Sequence, residues 1–169
     1  ISNYLLYNFN DTPIELYYRL RMNLDLSEEL NVDIYSFPMK YHPIQDPAYF
    51  RDRNYFGKHW NKKYIRAIQA ILNATKGSVG RGVSFFEAAF GANEEEFYEL
   101  LYMPDTYIVF REFYEGEGLT GKWRQAFYPL PEEKLNEAKR IISSNSFIDI
   151  DQLTNDEEIR SLLKHYQVS

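Results

Sequence analysis

Two β-type runs separated by one amphipathic helix, all within the first 41 residues, constrain the fold of this chain more than any other feature. Asn3–Phe9 (NYLLYNF) is too short for a helix and apolar on both faces, as a buried parallel strand would be. Asn10-Asp11 interrupts it, Thr12 and Glu15 stand three apart as in a capping box, and Pro13 suits a first helical turn. Leu16, Tyr17, Leu20 and Leu24 then recur at helical spacing, predicting a helix to about Leu30. Val32–Met39 (VDIYSFPM) is rich in β-branched and aromatic residues and reads as a second strand that ends at Pro38.

Strands joined by one helix lie parallel with a right-handed crossover, and ligands gather at their carboxyl ends. Those ends are Asn8–Asp11 and Phe37–Tyr41. Two parallel strands alone leave a ladder and a sheet face uncovered, so the sheet is expected to continue outside these residues. A chain that begins Ile1-Ser2-Asn3 without Met and enters a strand at once gives the same expectation, a fragment.

After the second strand the pattern changes. Pro43, Pro47 and Gly57 mark a loop over 42–58. Helices are predicted over 60–75, over 85–90 behind a Ser84/Glu87 capping box, and over 93–103, 105–115, 130–143 and 154–165. Gly116, Gly118 and Gly121 read as a loop. The predicted fold class is therefore α/β followed by mainly α, with a strand–helix–strand unit over 1–47 and a helical region over 48–169.

Composition narrows function by exclusion. With 44% hydrophobic and 26% charged residues the chain belongs to the soluble globular class, and its 17% aromatic content suits a ring-rich core or a docking surface. No apolar run approaches the ~20 residues of a membrane span and no leader pattern opens the chain, so a cytoplasmic protein without membrane contact is expected. There is no cysteine, hence no disulfide, thiol nucleophile or thiolate metal site within these residues. His42, His59 and His165 are scattered without metal-ligand spacing.

The net charge of −6 argues against a general attraction to nucleic acid, but its distribution is uneven. Residues 51–81 carry a net +7, through Arg51, Arg53, Lys58, Lys62, Lys63, Arg66, Lys76 and Arg81 against Asp52, whereas 82–118 carry −8. Lys62, Lys63 and Arg66 with Tyr55, Trp60 and Tyr64 as stacking rings would make a local RNA site. The simpler reading is a pair of solvated helix faces, with nucleic acid not expected as a partner. One alternative function follows: a self-standing helical interaction module that binds protein or RNA.

The segment NYLLYNFNDTPIELYYRLRMNLDLSEELNVDIYSFPMKYHPI, about Asn3–Ile44, resembles the closing part of the partial TIM-type barrel of radical S-adenosylmethionine (radical SAM) iron–sulfur oxidoreductases. There a late strand turns into an amphipathic helix and the last strand ends in a Pro-containing loop. The resemblance implies that Asn8, Asn10 and Asp11 sit in the turn beside S-adenosylmethionine, with Asp11 in the place of an acid and the family's glycines absent. It implies further that Ser36, Phe37, Pro38 and Met39 flank the adenine. The Cys-x-x-x-Cys-x-x-Cys loop holding the 4Fe-4S cluster would lie upstream of Ile1. The chain would then be the C-terminal part of such an enzyme, furnishing barrel wall and substrate-access region for an unidentified substrate. Its main partner would be the missing N-terminal part of the same polypeptide. Alone it would be inactive, binding neither S-adenosylmethionine nor cluster.

Overall fold

The computed structural model describes residues 1–80 and 82–167. Strand β1 (Ser2–Tyr7) runs through helix α1 (Pro13–Glu29) into strand β2 (Tyr35–Lys40). The strands pair in parallel, from Ser2 opposite Tyr35 to Tyr7 opposite Lys40. Helices follow: α2 (Pro47–Phe50), α3 (Lys62–Ala74), α4 (Val83–Phe90), α5 (Glu94–Tyr102), α6 (Asp105–Val109), α7 (Arg111–Gly116), α8 (Leu119–Phe127), α9 (Glu132–Ser144), α10 (Ile150–Leu153) and α11 (Glu157–Leu163), then a 3-10 turn over Lys164–Gln167. The fold is mainly α with a small parallel sheet. Among the described residues no helix is long and apolar enough to cross a membrane.

The ladder explains why β2 continues through Pro38 instead of ending there. Tyr35 N–H donates to Ile1 O and Tyr41 N–H to Tyr7 O, each at 2.8 Å. With the two-residue period of a strand, the peptide groups of Tyr35, Phe37 and Met39 therefore face β1, and those of Ser36, Pro38 and Lys40 face the far edge. A proline at an outward position removes no ladder bond. On the same edge Ser36 exchanges both backbone hydrogen bonds with Val79, at 2.8 and 2.9 Å. Gly80 beside that bridge is obligatory, since a Cβ there would lie 2.7 Å from the Tyr35 ring.

Side chains divide between two faces. Asn3, Leu5, Tyr7, Ser36, Pro38 and Lys40 share the face covered by α1, where Asn23 Nδ2 donates to Ser36 Oγ at 2.8 Å. Tyr4, Leu6, Tyr35, Phe37 and Met39 share the other, with the Tyr4 ring 5.8 Å from that of Phe37. That face is uncovered: Tyr4 is 72%, Leu6 52% and Met39 46% exposed.

One continuous core holds the rest, from Tyr7, Leu16 and Leu20 through Ile65, Ile68 and Ile71 to Trp123, Ile142 and Leu163. Residues on both sides of position 47 thus share it. Tyr17 on α1 packs against Phe86 and Phe97, each at 5.1 Å, and Trp123 stacks on Phe127 at 4.9 Å. Such ring pairs contribute about 0.5–1.5 kcal/mol each beyond their buried area.

Local chemistry moves several boundaries. The expected Ser84 cap is replaced by Gly82, so α4 starts earlier and Ser84 lies within it. The expected helix 105–115 breaks at Phe110, whose ψ of 49° is non-helical. Helix α8 occupies part of the expected glycine loop and carries Gly121 inside it, held because Trp123 and Phe127 are buried.

Candidate functional site

The carboxyl ends of the strands are organised by one residue. Asn8 leaves β1 in the left-handed region, at φ 71°, and is fully buried. Its Nδ2 donates to Tyr41 O at 3.2 Å and Tyr55 O at 2.9 Å, and its Oδ1 accepts from Gly57 N–H at 2.8 Å. Asn8 thereby pins the loop leaving β2 and the approach to α3 to the end of β1. Gly57 is required there, because a Cβ would lie 2.3 Å from Phe9 O. With its amide so engaged, Asn8 builds the floor of the strand-end region and offers no group to a ligand.

Asp11 is similarly committed. One oxygen accepts from Phe9 N–H at 2.9 Å and the other pairs with Arg19 Nη2 at 2.7 Å. Trp60 Nε1 donates to Asp11 O at 2.8 Å. Asn10 is exposed at the tip of the turn. Glu15 accepts from Thr12 N–H at 2.6 Å and Thr12 Oγ1 at 2.9 Å, and these bonds hold its carboxyl below the usual glutamate range.

The four β2 candidates separate by alternation. Phe37 and Met39 stand on the uncovered face, whereas Ser36 and Pro38 point to the α1 side. The set able to touch a ligand from the open face is therefore Tyr4, Leu6, Tyr35, Phe37 and Met39, apolar and without a charge. Beyond the strand ends lies an aromatic group that the sequence reading missed, with Phe9–Tyr41 at 4.7 Å, Tyr41–Tyr55 at 5.7 Å and Tyr49–Tyr55 at 5.3 Å. Beside it, Lys40 Nζ donates to Arg53 O at 3.0 Å and lies 5.5 Å from the Phe56 ring centre. Burial, with Lys40 and Arg53 adding to it, lowers the His42 pKa.

The basic helix does not present its charges as a track. Lys63 is 0% exposed, and its Nζ pairs with Asp105 Oδ1 at 2.9 Å, while Arg66 Nε bonds the other oxygen of Asp105 at 3.2 Å. Trp60 is buried, which removes its ring as a stacking platform, and the half-buried Tyr64 shares a 2.5 Å hydrogen bond between its Oη and Tyr102 Oη. Arg81 lies outside the described residues. The acidic run Glu94–Glu96 opens α5, where Asn93 caps Glu96 N–H at 3.0 Å.

Elsewhere a groove of about 580 Å³ is lined by Phe85, Phe110, Phe113, Val109 and Arg111, none of them at the strand ends. Among the described residues no three His, Cys, Asp or Glu side chains gather to hold a metal ion. Compared with known protein families, curated proteins and solved structures, the chain matches none.

Proposed function

We propose that this chain is the C-terminal part of a radical SAM iron–sulfur oxidoreductase, contributing the last two strands of a partial barrel and a helical region that shapes substrate access. One observation carries the reading: the parallel strand–helix–strand unit has its helix on one face and an apolar, aromatic-rich set of side chains on the other, of which Tyr4, Leu6 and Met39 are largely exposed. A barrel of parallel strands has that cross-section, helices outside and strand side chains filling the interior. The resemblance over Asn3–Ile44 selects the family.

In this reading the chain's own residues enclose and orient. Tyr4, Leu6, Phe37 and Met39 would line the lumen, keep water from the reacting centre and offer flat apolar surface to an adenine ring. Asn8 and Asp11 would fix the strand-end loops behind that surface. The cluster and S-adenosylmethionine, when bound, would supply the one-electron chemistry, and with no thiolate in these 169 residues the cluster's ligands must belong to the rest of the polypeptide.

Anaerobic reconstitution with iron, sulfide and S-adenosylmethionine tests the proposal, on the chain alone and on the polypeptide extended upstream in its own reading frame. The extended protein is expected to bind a 4Fe-4S cluster and cleave S-adenosylmethionine reductively, and the chain alone to do neither. Tight binding of S-adenosylmethionine by the chain alone would overturn it.

A further inference from the structure

Away from the sheet, the groove beside α4, α6 and α7 combines an apolar wall with a cation that no carboxylate neutralises. Phe110, whose ψ of 49° breaks the chain between α6 and α7, and Phe113 one turn later are each 61% exposed. Phe85 and Val109 stand exposed beside them, with Ile108 buried beneath. Large apolar side chains gathered in one patch mark a binding surface, where the same residues scattered singly would not. The groove's volume of about 580 Å³ falls in the range of ~300–1,000 Å³ usual for small-molecule sites.

Arg111 lines the same groove and is half-buried. Its Nη1 and Nη2 donate to Ala88 O and Ala89 O, the latter at 3.1 Å, in the last turn of α4. These bonds use two of its five N–H donors. Its Nε is buried without a partner, and among the described residues the guanidinium joins no ion pair. The carbonyls of a helix C-terminus offset only about half an elementary charge. Glu115, the carboxylate that attracts Arg111 from further off, is itself paired with Arg124 at 3.0 Å. Burial lowers the Arg111 pKa, as it does for a charge held short of both water and a counter-ion. Such a guanidinium, set in an apolar wall, favours a ligand carboxylate through charge-assisted hydrogen bonds.

We infer that this groove is a binding site for an amphiphilic monocarboxylate, a small molecule with one carboxyl group on an apolar chain or ring. The carboxylate takes donors of Arg111 that Ala88 and Ala89 leave free, and the apolar body lies against Phe85, Phe110 and Phe113. Glu112 stands exposed at the rim of the groove and repels a second negative charge, which selects a monocarboxylate over a diacid. No strand-end residue lines the groove, so the inference is independent of the proposed function.

Octanoate and 1-octanol, alike in chain and different in charge, test it by NMR titration of the backbone amides. Octanoate is expected to give saturable shifts at Ala89, Phe110, Arg111 and Phe113, and 1-octanol to bind the same place about 10-fold more weakly. Arg111→Met should abolish that preference for the anion. Glu112→Gln, at an exposed position, should tighten octanoate about 2-fold and leave 1-octanol unchanged. Equal affinity for the two probes, shifts centred on Tyr4, Leu6 and Met39 of the sheet, or an anion preference that survives Arg111→Met would each overturn the inference. The absence of saturable shifts would do the same. Should Arg111→Met fail to fold, Glu112→Gln decides, and an octanoate affinity that it leaves unmoved rejects the site.

Discussion

At the scale of single residues, the strand-end region depends on side chains whose polar groups are fully engaged. Asn8 makes three hydrogen bonds to backbone from a left-handed conformation that Asn tolerates better than most residues. Asn8→Ala leaves those backbone groups unpaired in a buried place and should cost about 2–4 kcal/mol, read from the urea midpoint. Lys63 is a second case. Lys63→Ala leaves a cavity and takes one cation from Asp105, with an expected loss of about 3 kcal/mol, whereas Lys63→Met fills the same space while Arg66 still neutralises Asp105 and should cost clearly less. Equal losses for the two variants would contradict this account of the pair. Neither role was legible in the sequence: Asn8 read as a strand-end ligand and Lys63 as a surface charge, because burial of a polar side chain depends on partners 33 to 49 residues away in the chain for Asn8 and 42 for Lys63.

The buried tyrosines set the response to alkali. Burial raises the Tyr7 pKa to about 12, and burial raises those of Tyr64 and Tyr166 as well. A raised folded pKa means that the unfolded chain releases its proton first, so this stability is complete below about pH 10 and declines as pH climbs from there toward 12. The urea midpoint should fall over that window, and Tyr7→Phe should flatten the fall. An unchanged slope in the variant would remove Tyr7 from the account.

At the scale of elements, periodicity found what is amphipathic and erred where packing overrides propensity. Strand β1 and helices α1, α3, α5 and α9 lie within a few residues of their predicted spans, β1 because it is a short run apolar on both faces and the helices because each has one apolar face and a recognisable start. Helix α8 was missed because Gly121 breaks its local preference, while its buried Trp123 and Phe127 restore it through contacts with distant segments. Pro38 was misread as a stop because which edge of β2 would be free depends on pairing that no local pattern reveals. The Val79 bridge closing that edge makes its own prediction: Gly80→Ala places a methyl against Tyr35 and Ile34 O, and the Ser36 amide should then exchange faster while those of Phe37 and Met39, bonded to β1, stay protected.

At the scale of the whole molecule, one continuous core carries a two-stranded parallel sheet. The core runs through both halves of the chain, yet the sheet has one closed edge, one open edge and one bare apolar face. The strand–helix–strand pattern and the helical remainder were legible from spacing alone. The asymmetry of the edges was not, since it arises from register, Pro38 and a loop some 40 residues later. The site was half legible, because alternation along β2 sends Phe37 and Met39 to the open face and Ser36 and Pro38 away from it. The uneven charge resolves into ion pairs such as Lys63–Asp105 and Arg21–Glu87, which join the basic and acidic regions to the rest of the fold.

The central claim is that these residues finish a barrel begun elsewhere in the polypeptide, and reading the gene upstream of the Ile1 codon tests it most directly. About 200 codons should reveal further strand–helix units preceded by a Cys-x-x-x-Cys-x-x-Cys triad, in the same frame. An initiator codon immediately before Ile1, with no such units, would contradict it.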